Sequence, residues 1–340
     1  MTAELAPEAA QHPFVKQPAA QQFVEQQIVG QPELEQVEVV IIGGGPAGLS
    51  AALNLVRARR HVLLVDGNRP RNAATFYSHG FITRDGVPPL ELRRLAREEL
   101  DAYPNYRYQR TMVTAIERTE TGFTIMLKGP GIGQSEIHAA TIVIASGVAE
   151  VMPALPTLRA FYGTSIHSCI ECSGWDEQDK PIAVIGETDD LAERATLVSQ
   201  FSDDIIVFTN GIGQISEPDA AALAARGILI DHRPLADVVG DTTGLTGVVL
   251  TTGEIVPRTA AFMRPHYRLM QEYAASLGLA VGADGFLVVD ADGRTSAPGV
   301  YAAGDSASPG PRQLIVAAGQ GARVASALNR DLIGLPQQRP

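Results

Sequence analysis

The stretch 37–48, Val37-Glu38-Val39-Val40-Ile41-Ile42-Gly43-Gly44-Gly45-Pro46-Ala47-Gly48, decides the fold. Its first half is a short apolar run with the length and composition of a buried strand, and its second half is a G-x-G-x-x-G turn that opens a helix predicted over 46–59. Glycines in such a turn let the chain reverse tightly and let backbone approach a pyrophosphate. The anion then rests on the helix N-terminus, where free N–H groups and the helix dipole favour negative charge. A second buried strand is predicted over 61–65 and ends at Asp66, 18 residues beyond Gly48, where an acid can accept hydrogen bonds from an adenosine ribose. Gly43, Gly45, Pro46, Ala47, Gly48 and Asp66 are therefore candidate dinucleotide-binding residues.

Outward from this unit, residues 111–116, 123–127 and 136–144 alternate like antiparallel strands and are broken by the glycine-rich 129–133. A second βαβ pattern opens at Pro181, with a strand over 182–185, a helix over 189–200 and a strand over 204–208. A helix over 268–277, a strand-like 285–289, a short strand over 299–304 and a final helix over 313–329 follow. So late a segment makes most sense if it returns to complete the first domain. The expected fold is α/β with two Rossmann-like, three-layer ββα nucleotide-binding domains, the second inserted in the first. The expected organisation is a disordered N-terminal extension over 1–36, a first dinucleotide-domain segment over 37–151, an insert over 152–264 and a second segment over 265–335. The extension is rich in Gln, Pro, Ala and Glu without a period, and its Phe14-Val15 and Phe23-Val24 pairs are the places where it would dock.

At 340 residues, 45% apolar and a formal charge of −11, the chain reads as a globular protein with no appetite for nucleic acid or an anionic membrane. It shows neither an apolar run of membrane-spanning length nor the basic-then-apolar order of a secretory signal, so a cytoplasmic location is expected. Its two cysteines, Cys169-Ile170-Glu171-Cys172, are too few for a disulfide scaffold or a zinc site, with only His167 nearby. A dithiol at this spacing can pass two electrons, since one thiolate attacks an incoming disulfide and the other resolves it. Two further stretches carry chemistry: Gly299-Val300-Tyr301-Ala302-Ala303-Gly304-Asp305, a strand that ends in Gly-Asp, and Ile142-Val143-Ile144-Ala145-Ser146-Gly147.

With the glycine turn, Ala145-Ser146-Gly147, the C-x-x-C, Gly304-Asp305 and Arg312-Gln313-Leu314 in this order, the sequence from about 37 to 329 resembles the low-molecular-weight thioredoxin reductase family. The octapeptide 79–86, HGFITRDG, is similar to the branch that contains the gliotoxin- and holomycin-type dithiol oxidases. The resemblance implies a homodimer that binds FAD, with the cysteine pair on the insert. It also implies that Gly67, Asn72, His79, Val113, Ser146, Gly147, Gly304, Asp305, Arg312, Gln313 and Leu314 join the glycine turn around the cofactor. The last helix would point its N-terminus at the flavin pyrimidine, with Gln313 and Leu314 at that position.

Departures from the family bear on mechanism. The insert's nucleotide turn reads Gly186-Glu187-Thr188-Asp189-Asp190, which replaces the second glycine and brings three carboxylates to the place of a pyrophosphate. No basic residue follows the second strand in 208–214 to hold a 2′-phosphate, so NADPH use is not expected. The residue after the cysteine pair is Ser173, a poor proton carrier, which leaves Glu171, His167 and Asp176 as candidates alongside the catalytic Cys169 and Cys172. These features imply an FAD-dependent dithiol/disulfide oxidoreductase. Either a donor such as ferredoxin reduces the flavin and the cysteines reduce a thioredoxin-like protein, or a small-molecule dithiol is oxidised at the expense of O2. A reading of another class is a flavin-binding redox sensor or docking protein.

Overall fold

The computed structural model describes residues 35–129, 133–307 and 310–335. The N-terminal extension with its Phe-Val pairs, and Pro130, Gly131 and Ile132 of the glycine-rich break, lie outside the described residues.

Strand Glu35–Ile42 has parallel neighbours on both sides, Val62–Val65 and the twelve-residue Gly133–Ile144. Burial on both faces is what the apolar run over 39–42 requires. Val40 and Ile42 enter one core with Ile125, Leu127 and Phe123, while Val39 and Ile41 enter the opposite core with Leu55, Val143 and Leu328. The sheet runs Tyr106–Gln109, Val62–Val65, Glu35–Ile42, Gly133–Ile144, Phe123–Gly129, Met112–Arg118, and Val300–Ala302 adds in parallel to the end of Gly133–Ile144. Strand Gly133–Ile144 thus serves two layers. Its beginning pairs antiparallel with Phe123–Gly129, and its end lies between the first and the last parallel strands. Helix Leu314–Leu332 packs on Pro46–Arg57 so closely that a Cβ on Gly321 would meet the Ala47 carbonyl oxygen at 2.0 Å.

The insert has its own parallel sheet in the order Leu229–Asp231, Ile205–Phe208, Ile182–Ile185, Ala260–Met263, Ile166–His167. An antiparallel sheet of Leu235–Asp241, Gly244–Leu250 and Ile255–Pro257 covers one face. The fold is two Rossmann-like domains, the second within the first. Two antiparallel strands, Val148–Val151 and His266–Leu269, carry the chain into the insert and back. This corrects the expectation of one helix over 268–277: its first residues pair with Val148–Val151, and only Glu272–Leu277 is helical, as a 3-10 turn. Helix propensity is a weak prior that strand pairing overrides here. The strand-like 285–289 is present only as isolated bridges, Val281 to Leu287 and Val289 to Thr295.

Candidate active site

The glycine turn sits at the carboxyl ends of the parallel strands, where ligands bind in doubly wound sheets. Gly43 has φ +111°, and a Cβ there would lie 2.3 Å from the Ala145 carbonyl oxygen; one on Gly48 would lie 1.9 Å from the Gly43 carbonyl oxygen. Both positions therefore exclude any side chain. Gly45 is the N-cap of helix Pro46–Arg57 and offers no side-chain cap to the first helical N–H groups. Nothing lies within 4 Å of a Cβ built on Gly45, so the backbone at the start of this helix is open to approach.

Asp66 ends the second strand and is buried. Arg93, from helix Pro89–Asp101, bonds its carboxylate, the Gly44 carbonyl at 2.9 Å and Asn68 Oδ1 at 3.1 Å. A buried charge needs such a partner. Gly67 rests against Met112, and Val113 is a core residue of the antiparallel layer. Gly147 donates its N–H to Ser306 Oγ at 2.8 Å, and Ser146 Oγ donates to the Met270 carbonyl and accepts from the Tyr273 hydroxyl, both at 2.9 Å. Gly304 donates its N–H to Gln320 Oε1 at 2.8 Å and faces Ala47 and Ala317, so the first and last helices start beside one another. Gln313 caps the last helix and Leu314 begins it. Asn72 lies in the 3-10 turn Arg71–Ala74.

Cys169 and Cys172 are joined as a disulfide with S–S 1.99 Å and Cα–Cα 5.3 Å, half-buried at the short helix Ile170–Ser173. The Cys172 N–H donates to Cys169 Sγ at 3.2 Å, and Glu171 Oε2 lies 3.8 Å from the same sulfur, exposed to solvent. Behind the pair, buried His167 meets buried Glu177 at 3.0 Å, and Lys180 reaches the other Glu177 oxygen at 2.6 Å. Burial alone would raise the Glu177 carboxyl, but the bonds from His167 and Lys180 outweigh it and hold it below the usual carboxylate range. His79 stands between the domains, 3.3 Å from Asp85 on its own loop and 3.3 Å from Asp176 of the insert. Trp175, just past the pair, is 72% exposed.

A polar chain links the disulfide loop to the Gly304-Asp305 turn. Ser168, next to Cys169, bonds Tyr162 at 2.9 Å and Glu150 at 3.2 Å; Tyr162 donates to Glu150 at 2.6 Å; Arg71 bonds Glu150 at 2.9 Å and Asp305 at 2.8 Å. Arg312 is stacked on Tyr267, its guanidinium carbon 3.7 Å from the ring centre. Arg71, Arg93, Glu150, Tyr162 and Tyr267 were not legible in the sequence. Arg71 and Arg69 look alike in the stretch after Asp66, and only the folded chain separates them. The insert's turn is filled from within: Glu187 accepts from Asn210 at 2.7 Å, while Asp190 pairs with Arg264 at 2.8 Å and accepts from Thr188 at 2.6 Å. Two of the three expected bare carboxylates therefore have partners, and Asp189 alone is exposed.

The pattern of the family described as pyridine nucleotide-disulphide oxidoreductase matches residues 37–321. Thioredoxin reductase tcpT of Claviceps purpurea is 29% identical over 285 residues, which take in 79% of this chain and 86% of that protein. A protein of Arthroderma benhamiae that bears a thioredoxin reductase name is 34% identical over 189 residues; the match spans 54% of this chain and about half (47%) of that protein. The crystal structure of HlmI superposes with a TM-score of 0.81 at 33% identity, over 88% of this chain and 93% of that one.

Proposed function

Since this chain belongs to the pyridine nucleotide-disulphide oxidoreductase family and has thioredoxin reductases among its relatives, we propose that it is an FAD-dependent dithiol/disulfide oxidoreductase whose working pair is Cys169 and Cys172. The observation that carries the reading is the half-buried disulfide tied through Ser168, Glu150 and Arg71 to the Asp305 turn, whose Gly304 faces Ala47 at the start of the helix that the open glycine turn begins.

Gly43, Gly45 and Gly48 with the first N–H groups of helix Pro46–Arg57 would hold the cofactor pyrophosphate, Asp66 its adenosine ribose, and Asp305 its ribityl region. When bound, FAD would take up or give two electrons at the disulfide. In its dithiol state one cysteine attacks a substrate disulfide as thiolate, a mixed disulfide forms, and the second cysteine displaces the substrate thiol and restores the Cys169–Cys172 bond. In this reading Asp176, 3.3 Å from His79, and Glu171, 3.8 Å from Cys169 Sγ, would serve as the proton carriers of this loop. The exposed Trp175, three residues after Cys172, would offer a substrate an apolar surface on the same segment.

NADPH is not the donor in this reading. Thr188 bonds Asp190, Asp190 pairs with Arg264 and Glu187 accepts from Asn210, in the turn where a second pyrophosphate would need bare backbone. A donor such as ferredoxin would supply electrons for a thioredoxin-like substrate. The octapeptide 79–86, similar to that of the dithiol-oxidase branch, favours a second reading, in which the cysteines oxidise a small dithiol and O2 is the final acceptor. The protein would act as a homodimer. Anaerobic mixing of the FAD-loaded protein with NADPH, reduced ferredoxin or a dithiol, followed by flavin absorbance, separates these. Bleaching by ferredoxin or by the dithiol, and none by micromolar NADPH, is expected; rapid bleaching by NADPH would restore that cofactor to the mechanism.

A further inference from the structure

The chain enters and leaves the insert through two paired strands, and one of their two inner register pairs is Glu150 opposite Tyr267. Each member of the pair is gripped from both domains. Glu150, its side chain 5% exposed, takes Arg71 of the first domain at 2.9 Å and, from the insert, the Tyr162 hydroxyl at 2.6 Å and the Ser168 hydroxyl at 3.2 Å. Tyr267 carries Arg312 of the first domain 3.7 Å from its ring centre and Arg264 of the insert at 5.7 Å. Arg71 and Arg264 are in turn fixed by Asp305 and Asp190. A buried carboxylate with three donors, and a ring faced by two guanidinium groups, each have a defined geometry that water cannot supply.

We propose that Glu150 and Tyr267 are positioning residues: a two-part latch on the connector that sets the disulfide loop at its working distance from the cofactor side. Ser168 makes the coupling direct, because the hydroxyl that completes the Glu150 cluster belongs to the residue before Cys169. The inference rests on the oxidoreductase reading for its consequence in catalysis, but not for its mechanical content. Electron transfer is steeply sensitive to position, and a misplacement of about 1 Å in such a site costs as much as a hundredfold in rate.

The test compares Glu150→Gln, Tyr267→Leu and Tyr267→Phe with wild type. Two readouts are taken: the rate at which dithiothreitol reduces the bound flavin in a single turnover, and hydrogen exchange of the amides in 148–151 and 266–269. Tyr267→Phe keeps the ring and should match wild type in both. Glu150→Gln and Tyr267→Leu should slow flavin reduction roughly tenfold to a hundredfold with FAD content unchanged, and raise connector exchange. Wild-type rates and wild-type exchange in both variants would overturn the proposal. So would equal damage from Tyr267→Phe and Tyr267→Leu, since the ring would then not be what matters. Should wild type itself pass no electrons from the dithiol to flavin, the small-dithiol reading fails while the ferredoxin reading stands, and connector exchange alone decides the latch.

Discussion

Gly45 shows how much one missing methyl group can mean. Its φ of −79° is open to any L-residue, and no protein atom stands within 4 Å of where a Cβ would be, so neither strain nor packing asks for glycine there. The proposed function supplies a reason, a cofactor that would approach the backbone at the start of the helix. Gly45→Ala should accordingly leave the thermal midpoint of the cofactor-free protein within the reach of about 0.5 kcal/mol, and yet weaken FAD binding, as equilibrium dialysis would measure. Equal FAD affinity in the variant would remove Gly45 from the cradle. The residues legible in advance were those of this kind, whose role follows from backbone: the glycines, Asp66 at a strand end, the cysteine spacing. Arg93 and Arg71, which neutralise Asp66 and Asp305, were not, because a partner 27 or 234 residues away leaves no local pattern.

At the scale of elements, the long parallel strands and their helices were readable because burial on both faces writes a continuous apolar run. The connector was not. Arg268 to Leu277 is rich in good helix formers, and only the presence of Val148–Val151 alongside turns its start into a strand. The two-residue strand Ile166–His167 is likewise too short to announce itself, and it holds its edge position partly through His167 and Glu177. The Glu177 carboxyl is held below its ordinary value of 4.5 in the folded state, against burial, by His167 and Lys180. Near and below that value the unfolded chain therefore binds more protons than the folded one. This contribution to stability is present above about pH 4.5 and is lost as pH falls through the folded value. Urea unfolding at pH 7 and at decreasing pH should show stability falling with acid, with a shallower fall in Glu177→Gln. An identical pH slope in the two proteins would contradict the assignment.

For the molecule as a whole, the arrangement is one of two similar domains with different tasks. The first keeps an open glycine cradle; the insert has filled its own turn with Glu187, Thr188 and Asp190 and carries the sulfur pair instead. The doubled βαβ pattern foretold the two Rossmann-like domains, whereas the polar chain between the two candidate sites exists only once the insert is folded against the first domain. The central claim is that flavin and disulfide form one electron store, and anaerobic reductive titration of the FAD-loaded chain counts its capacity. The account predicts that the native protein takes up two electrons for the sulfur couple beyond the two for the flavin, and that Cys172→Ser takes up only the flavin's two with FAD still bound. Equal uptake by the native protein and Cys172→Ser would contradict it.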